Sequence, residues 1–102
     1  MYGTIAKMRI REGAEGAHLT FQRQYEQVKI PGHVATYLYR SDADPREFYL
    51  SVLFENRDAY EANARSPEQD ARYRQLRQLL EAEPEWHDGE VVYQQVTVAA
   101  RS

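Results

Sequence analysis

The side chains best suited to chemistry in this sequence are few and widely spaced. Trp86-His87-Asp88 is the most reactive-looking run. A histidine beside a carboxylate can act as a general base near neutral pH. That makes His87 a candidate base and Trp86 a candidate aromatic wall. Adjacent residues on an extended segment point to opposite sides, so the same run also reads as a polar turn before Gly89, with Trp86 plugging the edge of the core. His33 sits at the start of an expected strand and shares a face with Ala35, Tyr37 and Tyr39, at a cavity mouth or against a partner. His18 lies at the edge of a helical apolar stripe, an interface or partly solvated position. Tyr60 and Asn63 are three residues apart and share a helical face, from which both can hydrogen-bond a bound molecule. Tyr73 can join them, although it also falls on a stripe with Leu76 and Leu80 that suits packing alone.

Other chemistries lack residues. The chain has no cysteine, which removes disulfides, thiolate nucleophiles and zinc–thiolate or iron–sulfur sites. The three histidines show no metal-ligand spacing, so no metal is expected. No glycine-rich dinucleotide or phosphate loop is present, and no G-x-S-x-G elbow. The net charge of −3 comes without an unopposed basic face, since Arg65 to Arg77 is interleaved with Glu68 and Asp70. Nucleic acid is therefore not an expected partner. The start, Met1-Tyr2-Gly3-Thr4-Ile5-Ala6-Lys7, is unlike a signal peptide, and no apolar run approaches the roughly 20 residues that span a bilayer. These features predict a soluble cytoplasmic protein with no membrane association.

The elements that must position these residues follow from periodicity. The 102 residues suit one domain over 1–102, able to bury roughly two-thirds of its unfolded surface. Tyr2 to Ile10 alternates as a first strand. Ala14, Ala17, Phe21, Tyr25 and Val28 then recur at helical spacing, up to the break at Pro31-Gly32. His33 to Arg40 and Glu47 to Glu55 form an antiparallel pair, with Phe48, Leu50, Val52 and Phe54 on one face of the later strand. Asn56 caps a short helix. Ser66-Pro67-Glu68-Gln69 reads as a capping box opening a longer helix that Pro84 stops. Trp86 to Gly89 reads as a turn and Glu90 to Val98 as a last strand. The order β-α-β-β-α-β predicts an α+β, ferredoxin-like sandwich with an antiparallel sheet. One sheet face lies under helices. The other carries aromatics that a second copy can cover.

Gly3-Thr4-Ile5-Ala6-Lys7-Met8, Pro31-Gly32-His33 and the run Phe54-Glu55-Asn56-Arg57-Asp58-Ala59-Tyr60 leading into Ser66-Pro67 give the chain a specific likeness. Together they make it resemble the antibiotic-biosynthesis-monooxygenase-type domains of the dimeric α+β barrel superfamily, over nearly its whole length. The resemblance implies a homodimer with a ligand cavity between sheet and helices in each subunit. Activities in the family include cofactor-free oxidation of electron-rich phenols, quinols and polyketides, and haem degradation. Asn63 and Tyr73 match positions of the polyketide-oxidising branch, whose intervening tryptophan falls at Pro67 here. Histidines expected for the quinol-oxidising branch near Asn63 and Glu68 are missing. So are the helix histidine and first-strand asparagine of the haem-degrading branch, which sets haem degradation aside. The resemblance thus implies a cofactor-independent monooxygenase acting on a small aromatic or hydrophobic ligand. Tyr60, Asn63, Tyr73 and His87 would be catalytic, and Trp86, His33 and Phe54 would touch the substrate. Two other readings stand beside it: a non-catalytic dimeric ligand-binding domain, and a polyketide-cyclase-like enzyme.

Overall fold

Alternation of small and apolar residues makes Tyr2–Arg9 a strand, β1, whose even-numbered residues Thr4, Ala6 and Met8 are all buried. The computed structural model describes residues 1–97. In chain order β1 is followed by α1 (Glu15–Arg23), β2 (His33–Arg40), β3 (Glu47–Phe54), α2 (Arg57–Ala64), α3 (Pro67–Gln78) and β4 (Glu85–Glu90). The four strands form one sheet in the order β2-β3-β1-β4 with every neighbouring pair antiparallel. This is the α+β, ferredoxin-like arrangement that the element order predicts.

The core lies between one sheet face and the helices. Ala6, Met8 and Ile10 meet Phe48 and Leu50 from the sheet, and Leu76 and Leu80 cover them. The paired register Ala6 with Leu50 and Met8 with Phe48 keeps both strands' apolar residues on that face. The opposite face holds Ile5, Tyr37 and Tyr39, each more than half exposed. No described helix is long and apolar enough to cross a membrane.

Local chemistry explains both later helices. The Asn56 side chain accepts from the Ala59 N–H at 2.8 Å, and the Ser66 hydroxyl accepts from the Gln69 N–H at 3.1 Å with Pro67 at the first turn. The reciprocal half of the expected capping box does not form. The Gln69 side chain instead accepts from Arg72 and faces Asn63.

Three expectations need correction. The first helix ends at Arg23 and does not continue towards Val28. From Gln24 the backbone bonds tighten to three-residue steps, such as Tyr25 to Gln22 at 3.3 Å and Val28 to Tyr25 at 3.1 Å. This turn lets Tyr25 donate to Gln75 on α3 at 2.9 Å, a tertiary contact that overrides helical periodicity. The last strand is Glu85–Glu90, so Trp86 to Gly89 are strand and not turn. Its ladder runs alongside β1 until the Val91 N–H reaches the Met1 carbonyl at 2.9 Å. Residues 91–97 form no strand. Val98, the expected end of the strand, lies outside the described residues.

The third correction concerns His18, which is fully buried. Its ring stands edge-on to Phe48 at 4.9 Å, and its Nδ1 has no hydrogen-bond partner. Burial lowers its pKa from the usual 6.5. The unfolded chain therefore binds a proton below about pH 6.5 that the folded chain resists, and stability falls as pH drops from there. Carboxylates such as Asp44 and Glu81, held below their ordinary values by arginine partners, titrate at lower pH. The melting temperature is expected to decline as the pH falls below about 6.5, and His18→Phe to flatten that decline. A slope unchanged in the variant would remove His18 as its source.

Candidate functional site

Between the sheet and the three helices lies a cavity of about 400 Å³. Its floor is β-sheet: Thr4, Leu50, Val52 and Phe54, with Thr36 and Trp86 towards the edges. Its roof comes from Phe21 on α1, Tyr60 and Asn63 on α2, and Arg72, Tyr73 and Leu76 on α3. The size and mostly apolar lining suit a flat aromatic molecule.

Tyr60 is set by the Asn56 cap, which fixes the start of α2 one turn earlier. Its ring lies edge-on to Phe54 at 5.7 Å and tilted against Tyr2 at 5.2 Å. Its hydroxyl donates to Asp88 Oδ1 at 2.8 Å. Burial, reinforced by the Asp88 carboxylate, pushes the Tyr60 pKa up to about 12. The phenol is thus a neutral donor at physiological pH, and the nearby Thr4 hydroxyl opposes part of that rise. Asp88 stands opposite Thr4 in the β1–β4 ladder. Thr4 lines the cavity, is 5% exposed, and its Oγ1 is buried without a hydrogen-bond partner. An unmet buried hydroxyl carries a desolvation cost, which a ligand oxygen at this spot would offset.

At another part of the wall, the Asn63 Oδ1 accepts from Arg72 Nη2 at 3.3 Å, and Gln69 Oε1 accepts from Arg72 Nε at 3.1 Å. Tyr73 borders the cavity with its ring, tilted against Trp86 at 6.3 Å. Its hydroxyl donates to Glu83, and that bond is the main cause of its raised pKa. Trp86, 42% exposed, forms an edge wall.

His33 lies at the mouth, but not on the face expected for it. β2 carries an irregularity at Val34, so that His33 pairs with Phe54 while Ala35 pairs with Leu53. The extra residue turns His33 to the cavity side with Thr36, away from Tyr37 and Tyr39. Its Nε2 is 2.7 Å from Thr36 Oγ1 and its ring is edge-on to Phe54. His87 goes the other way. It pairs with Ile5, whose side chain is on the open face, and it does not border the cavity. Strand alternation separates His87 from Asp88, and it is Asp88 that meets Tyr60.

The structure therefore brings together Tyr60, Asn63, Tyr73, Trp86, His33 and Phe54 around one cavity and leaves His87 outside it. Sequence reasoning passed over Thr4, Asp88 and Arg72. Thr4 could have been found from its alternation with Ala6 and Met8, and Arg72 from its four-residue spacing to Leu76. Asp88 could not be placed while its segment read as a turn.

The solved structures that resemble this one share its architecture at low identity. A protein of Chloroflexus aurantiacus, provisionally named an antibiotic biosynthesis monooxygenase, is 21% identical with a TM-score of 0.76, covering 93% of this chain and 96% of its own. A similarly named protein of Bordetella bronchiseptica is 20% identical with a TM-score of 0.78, covering 90% of this chain and 97% of its own. SnoaB of Streptomyces nogalater, a cofactor-independent oxygenase solved as a mutant, is 15% identical with a TM-score of 0.78, and 97% of each chain is covered. No protein of curated function matches the chain. The sequence profile of the antibiotic biosynthesis monooxygenases matches residues 1–75, and the chain belongs to that family.

Proposed function

We propose that the protein is a monooxygenase that oxidises an electron-rich aromatic with molecular oxygen and without a cofactor, on a phenol, quinol or polyketide-like substrate. The observation that carries this reading is the aromatic cavity lined by Tyr60 and the buried Thr4 hydroxyl, with Asp88 outside the lining accepting from the Tyr60 hydroxyl. Oxygen is a ground-state triplet, and its concerted reaction with a closed-shell molecule is spin-forbidden. A substrate carbanion or phenolate escapes this by giving up one electron at a time, so the substrate does what a flavin would otherwise do.

For an anthrone-type substrate, the enol hydroxyl loses its proton through Tyr60 to Asp88. The resulting anion passes one electron to oxygen, and the two radicals couple to form a carbon–oxygen bond. The peroxide takes back the proton. Loss of the remaining hydrogen on that carbon, with cleavage of the oxygen–oxygen bond, releases water and leaves a carbonyl. One oxygen atom thus ends in the product and one in water. Asn63 orients a second substrate oxygen, Phe54 and Trp86 hold the ring plane, and Tyr73 adds an aromatic face. His33 stands at the mouth. The apolar walls keep bulk water from the radical pair.

Oxygen uptake with anthrones and electron-rich hydroquinones tests this directly. Enzyme-dependent uptake that persists with a chelator, with one new carbonyl per oxygen consumed, is the expected result. A ligand that raises the melting temperature yet stays unchanged and consumes no oxygen would favour a binding domain. A rearranged product formed without oxygen would favour a cyclase.

A second copy of the chain is the proposed cover for the open sheet face, where Ile5, Tyr37 and Tyr39 are exposed. Light scattering is expected to give twice the 12.0 kDa chain mass. Tyr39→Glu on that face is expected to return it to one chain, and a monomeric wild type would remove this part of the proposal.

A further inference from the structure

Arg72 stands out among the arginines of α3. Arg74 pairs with Asp70 at 2.7 Å and Arg77 with Glu83 at 3.3 Å. Arg72, partly buried on the cavity wall, forms no ion pair among the described residues. Asp70 also borders the cavity, but Arg74 already binds it. The three groups around the Arg72 guanidinium are neutral. Gln69 takes its Nε–H, Asn63 takes one Nη2–H, and the Tyr25 ring lies 5.5 Å beneath it. A guanidinium has five N–H donors, and Nη1 donates to no described residue.

Such a group is oriented before anything binds. Hydrogen bonds to Gln69 and Asn63 and the Tyr25 ring hold its plane. Its side chain borders the cavity, and Nη1 is left without a partner among the described residues. That is the geometry with which arginine takes a carboxylate, through charge-assisted bonds that are stronger than neutral ones. A partly buried cation without a counter-ion is also costly, and an anionic ligand would offset that cost. A second observation points to a ligand independently: the Thr4 hydroxyl on the floor of the same cavity is buried and unpartnered.

We propose that the cavity is built for an aromatic carrying a carboxylate, with the carboxylate seated on Arg72 and a ring oxygen met by Thr4 and Tyr60. This rests on the aromatic-cavity reading of the proposed function and names its substrate class. Arg72 is here a specificity residue, and Asn63 and Gln69 hold its plane.

Binding of redox-inert probes separates this from catalysis. Trp86 is the one tryptophan of the chain and borders the cavity, so its fluorescence reports occupancy. The probes are anthraquinone-2-carboxylate and its neutral 2-carboxamide, titrated into wild type, Arg72→Lys and Arg72→Gln, with melting temperatures taken to confirm folding. Wild type is expected to bind the carboxylate about tenfold tighter or better than the carboxamide. Arg72→Lys is expected to keep part of that preference and Arg72→Gln to abolish it. Equal affinity of the two probes for wild type overturns the proposal, and so does a preference that survives in Arg72→Gln. Binding of neither probe overturns the aromatic-cavity reading and this proposal together. A clear preference in a protein that consumes no oxygen leaves the anion site standing and removes only the oxygenase reading.

Discussion

Tyr60→Phe is expected to cut oxygen uptake about 100-fold, the lower range of what a positioned proton-transfer group supplies, while the fold survives. The substitution keeps the ring that packs on Phe54 and Tyr2 and removes only the hydroxyl bound to Asp88 at 2.8 Å. Asp88 is exposed and can be rehydrated, so the stability cost is about 1 kcal/mol. Asp88→Asn is expected to give a loss of similar size, because Tyr60 then has no carboxylate to pass a proton to. The double variant should be scarcely worse than either single one, as for groups that act as a unit. Tyr73→Phe offers a contrast, since its hydroxyl is directed to Glu83 and its removal should cost far less. Normal uptake by Tyr60→Phe would take Tyr60 and Asp88 out of the chemistry and shift attention to His33.

Gly3→Ala is expected to destabilise the fold by about 3 kcal/mol or more, enough to lower the melting temperature by well over about 10 °C in a domain of this size. A Cβ at Gly3 would lie 2.0 Å from the Val52 carbonyl oxygen, 3.0 Å from its carbon and 3.2 Å from the Leu53 Cα. All three are backbone atoms of β3, so no side chain can swing aside. The β1–β3 ladder would have to open beside Thr4, on the cavity floor. Gly89 supplies an internal control. It pairs with Gly3 across the β1–β4 ladder, yet a Cβ there meets nothing within 4 Å. Gly89→Ala should therefore melt near wild type. Thermal or urea unfolding of the two variants decides the matter, and equal stability would show that β1 and β3 are less closely apposed than described.

What the sequence revealed depended on how local each signal was. β2 and β3 were legible because β-rich alternation and a polar connecting loop sit together in the chain. The starts of α2 and α3 were legible because Asn56 and Ser66-Pro67 act within a few residues. β4 was not, because Asp88-Gly89 carries turn chemistry and only the neighbouring β1 makes a strand of it. That error also hid the Tyr60–Asp88 contact, which joins residues 28 positions apart. The face of His33 was misjudged because a one-residue irregularity at Val34 leaves no mark in the pattern of residue types. The end of α1 was misjudged because Tyr25 is recruited by Gln75, on an element distant in sequence.

The alternation of the strands lets a single segment of chain answer two separate demands. Along β1, Thr4, Ala6 and Met8 face the helices while Ile5 and Lys7 face away. Along β3, Val52 lies at the cavity and Ser51 does not. A mutation that widens or reshapes the ligand space therefore leaves the far surface chemically unchanged, and the reverse also holds. Editing every second residue of a strand can thus change the side chains that line the cavity and leave those of the open face as they are.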